Sequence, residues 1–413
     1  MRIKIPYEED NLTIDVDKKN IAGIIEPKKI KDVNEKLLIH EAIKNPVNSK
    51  SFKGFLSGTK EILIIVNDAT RSTPTEKVLD IIHENLKEKH VKFLVGTGSH
   101  RKPTEKEFIK IFGKYYDIYK NQINVHDAKK SEFVNLGTTD FGTEVLINKI
   151  ALKSEKIITI GSVEPHYFAG FTGGRKFLLP GISAFSSIEQ NHKLSLSPGS
   201  QVLALKGNPV NEDMLEALIK FDKRIFSIQM VMGEEDRVCY ASAGNIHNSF
   251  IKSVNFAKKF FTYEMKDKVD IIVAVMRKPY SRDFYQSHKG LENCKSVLKK
   301  DGIFIMVSKC CDGIGKQAYY NLLKTWDSPF DTLENIEKNY KLGYHIAIKM
   351  VEFQRNNKFW VISDISSKTL EKMFIKKKYC IQEAIDKAVQ VKGESAKILF
   401  NLDAGNIVPL IKS

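Results

Sequence analysis

Between Glu61 and Val95 the chain carries one strand–helix–strand unit, and that unit constrains the fold more than any other feature. Glu61-Ile62-Leu63-Ile64-Ile65-Val66 is apolar from its second residue onward, without the alternation of a half-exposed strand. Such a strand needs cover on both faces, which a parallel sheet flanked by helices provides. Thr75–Lys89 follows, with Val78, Leu79, Ile81, Ile82 and Leu86 at helical spacing, and Val91–Val95 reads as the next strand. Thr73 as N-cap, Pro74 at the first helical position and Glu76 at the third predict a capping box. Thr104 and Glu107 repeat the pattern before the next helix.

The mixed α/β pattern continues through strands at Lys156–Ile160 and Ile225–Met232. Thr262–Lys268 is charged and polar, and Val269–Met276 then restarts the alternation. A helix is expected near Ser287–Lys299, a strand at Ile303–Val307, a long helical region over Asp331–Gln354 and a strand at Phe359–Ser363. A chain of 413 residues has room for two or three domains. The expectation is two α/β domains with largely parallel sheets, divided near Lys266–Lys268.

Composition narrows the function classes. Lys and Arg number 65 against 50 Asp and Glu, a net charge of +15. The lysines are scattered, which describes a solvated basic surface better than a nucleic-acid footprint, and no zinc finger, RNP signature or aromatic–basic interleaving accompanies them. A basic balance also suits an anionic small substrate. Five cysteines without C-x-x-C spacing argue against a disulfide framework and a cysteine zinc site, and Cys310-Cys311 reads as a pair of buried small residues. The longest apolar runs, such as Ile271–Met276, fall far short of the about 20 residues of a membrane helix. Met1-Arg2-Ile3-Lys4-Ile5-Pro6 lacks the apolar core of a signal peptide, so the expected compartment is the cytoplasm.

Polar chemistry gathers in three glycine-rich segments. Asn67-Asp68-Ala69-Thr70-Arg71-Ser72-Thr73-Pro74 lies between an apolar strand and a helix, where an open α/β sheet carries its ligands, and Arg71 offers a fork for phosphate or carboxylate. Gly96-Thr97-Gly98-Ser99-His100-Arg101 ends the next strand, with glycines that permit close backbone approach to a ligand and a histidine suited to general-base work. It lacks the P-loop pattern. Glu164-Pro165-His166-Tyr167-Phe168-Ala169-Gly170-Phe171-Thr172-Gly173-Gly174-Arg175-Lys176 follows a third strand and leads on to Asn191-His192. A lysine framed by three glycines reads either as a surface charge or as a covalent anchor.

In order and spacing these segments, with Tyr285-Gln286-Ser287-His288-Lys289-Gly290, resemble the nickel-pincer lactate racemases over most of the chain. The resemblance implies a cofactor, nickel(II) pyridinium-3,5-bisthiocarboxylate mononucleotide, in which two thio groups and the pyridinium C4 carbon bind the metal. It implies that Lys176 holds this cofactor covalently, that His192 is the protein's ligand to nickel, and that Asp68, Ala69, Thr70 and Arg71 contact the cofactor. His100 and His166 are implied as the two groups that take the substrate's hydroxyl proton as hydride leaves the neighbouring carbon. Arg71, Gln286 and Lys289 are implied as substrate contacts, and Tyr285 is placed beside them. The fold implied is a cofactor-binding domain of residues 1–266, joined by the tail 393–413, and a substrate-closing domain of residues 267–392, with the site in the cleft between.

The expected reaction is racemisation or epimerisation of a 2-hydroxy acid, with the cofactor-building enzymes as further partners and no nucleic acid or membrane partner. A hydride-transfer oxidoreductase with a soluble nicotinamide cofactor is the rival. It lacks support from a Gly-x-Gly-x-x-Gly fingerprint with a ribose-binding carboxylate. Lactate-specific members have a tryptophan–glutamine pair where Gly343-Tyr344-His345-Ile346 stands here. Tyr344 and His345 therefore predict a substrate larger or more polar than lactate, unless His345 faces solvent.

Overall fold

The computed structural model describes residues 1–28, 33–325 and 340–412. The chain divides into two units: Lys28–Phe260, and Met1–Pro27 together with Phe261–Ser413.

The Lys28–Phe260 unit is built on a six-stranded sheet in the order Val238–Asn245, Arg224–Met232, Lys156–Ser162, Glu61–Asn67, His90–Gly96, Ile123–Val125. All neighbours are parallel except the first pair. Ile62, Ile64 and Val66 pack on Val78, Leu79, Ile82 and Leu86 of the following helical segment, while Leu63 and Ile65 are buried on the opposite face. The chain runs outward from Glu61–Asn67 through two strands, then returns to its other side as Lys156–Ser162. Loops leaving the carboxyl ends of these two strands therefore diverge, which opens a crevice at the switch point.

The two expected capping boxes differ in outcome. At the second, the Thr104 Oγ1 accepts the Glu107 N–H at 3.4 Å and the Glu107 carboxylate accepts the Thr104 N–H at 2.7 Å. At the first, the helix runs Thr75–Ile82 behind Pro74 and no side chain caps it. The Thr73 hydroxyl bonds Ser162 Oγ at 3.2 Å instead, and Glu76 accepts the Lys114 N–H at 3.1 Å. The sheet end has claimed the threonine, and the Gly113–Lys114 turn has claimed the glutamate. A 3₁₀ turn over His83–Leu86 completes the expected helical stretch.

The second unit has a six-stranded, all-parallel sheet ordered Lys376–Lys378, Lys358–Ile362, Leu298–Val307, Val269–Val275, Ile398–Asn401, Ile21–Ile25. It too reverses direction, between Val269–Val275 and Ile398–Asn401. The helix expected from Ser287 starts at Phe284, because the Asp283 carboxylate accepts the Gln286 N–H at 2.8 Å, and it yields to a strand from Leu298. Of the helix expected over Asp331–Gln354, residues 331–339 lie outside the described residues, and the rest is Tyr344–Asn356. Cys310 is buried, but Cys311 is exposed and so is not the buried residue expected.

The partition also differs from the one the resemblance implies. Residues 1–27 pack with the C-terminal half: Arg2–Tyr7 and Asp10–Asp15 form a hairpin whose Ile3, Ile5 and Ile14 join its core, and Ile21–Ile25 is an edge strand of its sheet. The tail belongs there as well. Ile398–Asn401 lies inside that sheet, and Val408–Ile411 pairs with Thr262–Met265. Its Ile398-Leu399-Phe400 run is 0% exposed, so it needs neighbours on both edges and cover on both faces. Among the described residues no helix is long and apolar enough to cross a membrane.

An interior strand at the tail makes a direct demand on stability. Phe400→Ala should destabilise this unit by about 3–5 kcal/mol, the usual cost of truncating a buried aromatic. Urea denaturation checks this, and a loss below about 1 kcal/mol would show that the tail is not part of the core.

Candidate active site

Three of the polar segments leave the carboxyl ends of adjacent strands. After Glu61–Asn67, Asp68 turns back into the unit and is 5% exposed. Its Oδ1 accepts the Thr70 N–H at 3.1 Å and the Thr70 hydroxyl at 2.6 Å, while Oδ2 lies 2.8 Å from His100 Nδ1. Burial alone pushes the Asp68 carboxyl up, but the bond and charge of His100, with Thr70 and Arg71, hold it below its ordinary value. A carboxylate in that place fixes the His100 proton on Nδ1 and turns Nε2 outward as an acceptor. Asp68 thus serves an imidazole, a role beyond the cofactor contact expected of it. Ala69 packs against the hydrophobic core. The glycines before His100 allow a close approach to the chain's own Pro180–Gly181 turn, whose Gly181 carbonyl accepts the Gly98 N–H at 3.0 Å.

After Lys156–Ser162 comes a small hairpin, Pro165–His166 against Gly170–Phe171. It presents His166, whose Nδ1 accepts the Ala169 N–H at 3.3 Å. That leaves the ring proton on Nε2, 3.1 Å from the Lys176 amine. Lys176 follows a turn in which Gly170, Gly173 and Gly174 all have positive φ, and a side chain at Gly174 would strike the Phe250 ring. Burial, with Arg71 and Arg175 nearby, lowers the Lys176 amine well below its ordinary pKa, against a smaller opposing pull from Glu164. A lowered pKa favours the neutral amine, whose nitrogen can accept the His166 Nε2 proton as a hydrogen bond. Arg71 donates to Glu164 at 2.5 Å.

His192 sits near the end of the Phe185–Lys193 helix. Its neighbour Asn191 ties that helix down, donating at 2.7 Å to Asp213, which also accepts from Thr139 at 2.5 Å and Thr143 at 2.8 Å. The Phe168 ring lies 4.5 Å from the His166 ring and 5.0 Å from the His192 ring, and the Lys176 amine stands 5.6 Å from its centroid. Phe168 is thus the apolar hub of three expected site residues. Neither it nor Glu164 nor Asp213 had been assigned a role; the first two stand inside the third motif, whereas nothing local marks Asp213.

The second unit carries the remaining candidates. Tyr285 and Lys289 share one face of the Phe284–Cys294 helix, at the carboxyl side of Val269–Val275, and Gln286 is exposed beside them. The Lys289 amine donates to the Tyr280 hydroxyl at 2.8 Å and lies 4.1 Å from that ring's centroid. Tyr280 has no sequence signal. The Tyr285 ring packs edge-on to Tyr319 at 5.6 Å, and the Lys316 amine stands 4.9 Å from its centroid. Tyr344 begins the Tyr344–Asn356 helix half-buried. His345 is 2% exposed, with Nδ1 2.7 Å from the Tyr340 hydroxyl, so it does not face solvent.

A covalently held nucleotide would need an attachment point, and the residues at this site fit one. Lys176 is a buried amine with a lowered pKa and an imidazole against it, which favours acylation of its nitrogen. Among the described residues no three His, Cys, Asp or Glu side chains gather as metal ligands. A metal held at His192 would take most of its donors from a bound group.

Fold and site together define a two-unit α/β protein with an acid–base constellation at the switch point of a parallel sheet. The comparisons name the family. Residues 7–202 match the lactate racemase N-terminal domain and residues 265–408 the lactate racemase C-terminal domain. The lactate racemase of Thermoanaerobacterium thermosaccharolyticum is 32% identical over 81% of this chain and 80% of its own length. That of Lactiplantibacillus plantarum is 27% identical over 98% and 99%. The structure of the T. thermosaccharolyticum lactate racemase apoprotein superposes over 100% of both chains, with a TM-score of 0.92 and 28% identity. The chain belongs to the lactate racemase family.

The Asp68–His100 pair predicts an acid limb of stability. A carboxyl held below its unfolded value of about 3.9 contributes stability that is present above that pH and lost as pH falls through the folded value. The difference in Tm between the parent and Asp68→Asn should therefore be present at pH 5 and shrink below about pH 4. A difference that stays constant down to pH 2 would mean that the carboxylate is not held by this pair.

Proposed function

We propose that the protein is a racemase or epimerase of a 2-hydroxy carboxylic acid that works with a nickel-pincer nucleotide attached through Lys176. One observation carries the reading: two imidazoles oriented by fixed partners, His100 by Asp68 and His166 by the Ala169 N–H, in a unit that buries a lysine amine against the second of them and lowers its pKa. The family names of the relatives support racemase chemistry.

Inverting a 2-hydroxy acid means breaking the C–H bond at the carbinol carbon. Removing that hydrogen as a proton would leave a carbanion beside a carboxylate. When bound, the nucleotide supplies a reversible hydride acceptor. The protein's share is proton transfer and orientation. His100 accepts the hydroxyl proton at Nε2, while Asp68 stabilises the resulting charge at Nδ1. His166 is assigned the same role for the other enantiomer, for which its ring proton must sit on Nδ1, released from the Ala169 N–H, so that Nε2 is free to accept. The two enantiomers release the hydroxyl proton in different directions, so each base serves one. Arg71, Gln286 and Lys289 are assigned to the substrate's carboxylate and hydroxyl oxygens. Asp68 to Arg71 are assigned to the cofactor's surroundings and His192 to the metal. Tyr285, Tyr344 and His345 are assigned to the substrate side. Loading depends on the enzymes that build the nucleotide, and the cytoplasm is the assigned compartment.

Protein produced with the cofactor pathway should show an adduct on Lys176 in intact-mass spectra, absent from Lys176→Ala. His192→Ala should lose bound nickel by elemental analysis. His100→Ala and His166→Ala should retain nickel while turnover falls by about 10²-fold or more, the scale of a lost general base. Nickel loss in His100→Ala with retention in His192→Ala would exchange the two roles, and absence of any enantiomer interconversion by loaded protein would refute the reading.

Substrate size forms a separate test. A buried polar His345 beside Tyr344 favours a substrate with a larger or more polar group than the methyl of lactate, since a hydrogen-bonding pocket discriminates more sharply than an apolar one. kcat/KM across lactate, malate, 2-hydroxyglutarate and phenyllactate should place lactate below the best substrate. Lactate ranking first would overturn the assignment of Tyr344 and His345.

A further inference from the structure

Among the described residues Arg175 is the largest fully buried side chain, at 1% exposure. Among the described residues it forms no ion pair. Its Nη1 donates to the carbonyls of Phe171 at 2.9 Å and Gly173 at 3.3 Å, its Nη2 donates to Ala169 at 2.6 Å, and its Nε has no partner. The guanidinium carbon lies 4.6 Å from the centroid of the Phe250 ring. A guanidinium buried without a carboxylate is costly, and an apolar side chain of similar volume commonly serves a core better. Core filling therefore does not account for it.

The three carbonyls it holds belong to one turn, and both neighbours of that turn are site residues. At one end the Ala169 N–H bonds His166 Nδ1, and at the other the chain passes directly into Lys176. We propose that Arg175 is the positioning residue of this site: it clamps the 169–173 turn so that His166 and Lys176 meet, and it sets a fixed positive charge behind the lysine so that its nitrogen is presented as a nucleophile. This rests on the reading of Lys176 as the attachment point. The charged and titratable groups around the amine are Arg175 on its own turn, Arg71 from the loop after Glu61–Asn67, and Glu164 and His166 from the hairpin. Arg71 has Glu164 2.5 Å away to offset it, whereas Arg175 has no counter-ion among the described residues. The direction of the amine's shift agrees, with burial first and the two arginines next.

The test needs neither cofactor nor turnover. Protein made without the cofactor pathway is pulsed with acetic anhydride across a pH series, and acetylation of Lys176 is read by peptide mass spectrometry against exposed lysines. In the reaction the amine forms an amide, acetate leaves and the ammonium proton passes to solvent. The Lys176 profile should have its midpoint well below that of the exposed lysines. Arg175→Met should raise that midpoint by a pH unit or more, which is about tenfold less acetylation at neutral pH. Arg175→Lys, which gives up most of the carbonyl bonds but keeps a cation, should stay near the parent. A parent midpoint equal to that of exposed lysines, no movement in Arg175→Met, or equal movement in both variants would each overturn the assignment. The last outcome would trace the effect to packing of the turn. If Arg175→Met does not fold, as judged by its thermal transition, Arg175→Gln removes the charge while keeping an amide donor for the carbonyls. Absence of racemase activity in loaded protein with an intact Lys176 profile would count against the proposed function and leave this assignment standing.

Discussion

The candidate site residues of the Lys28–Phe260 unit are arranged around strands that have no exposed face. Lys156–Ser162 is buried along its whole length, and Ile62–Val66 beside it is no less enclosed. Parallel strands covered by helices on both sides leave only their ends for chemistry. The chain then reverses direction about Glu61–Asn67, and the loops from the two central strands part at their carboxyl ends. Asp68, Arg71, Glu164 and His166 all arise within a few residues of those ends. The same constraint acts on the other unit, where the loop after Val269–Val275 supplies Tyr280 and leads into the helix of Tyr285, Gln286 and Lys289.

This explains which parts were legible in the sequence. An unbroken apolar run has few structural solutions, so the inner strands and the parallel sheets could be read directly. The assignment of segments to units could not, because Ile21–Ile25 and Ile398–Asn401 are strands like any other until their partners are known. Capping shows the limit at smaller scale. Thr73 and Glu76 satisfy the pattern as well as Thr104 and Glu107 do, yet the first pair is diverted by Ser162 and Lys114, residues far away in the chain.

Among site residues the same distinction holds. Histidines and a lysine framed by glycines stand out because such residues are rarely grouped without a reason. Their supports do not stand out. Tyr280 is an ordinary aromatic until its hydroxyl meets Lys289, and Asp213 is a helix residue until three donors converge on it. Asp68 belonged to a motif, but only the 2.8 Å contact with His100 distinguishes orientation of a base from contact with a ligand. Partners from distant segments are what a linear pattern hides.

The charges at the first switch point are not paired one to one. Glu164 offsets Arg71 and Asp68 faces His100, but Arg175 stands buried with only carbonyl dipoles and an aromatic face against it. Carbonyl oxygens and a ring quadrupole moderate a buried cation without neutralising it. The unpaired positive charge beside Lys176 has two effects with one cause. It disfavours the ammonium form of Lys176, and it favours the arrival of a negatively charged ligand at the crevice. A nucleotide phosphate and a hydroxy-acid carboxylate are both anions. The imbalance that makes the lysine nucleophilic is therefore the one that an anionic cofactor and substrate would offset on binding, so the arginine's desolvation cost and the site's readiness for its ligands have a common origin.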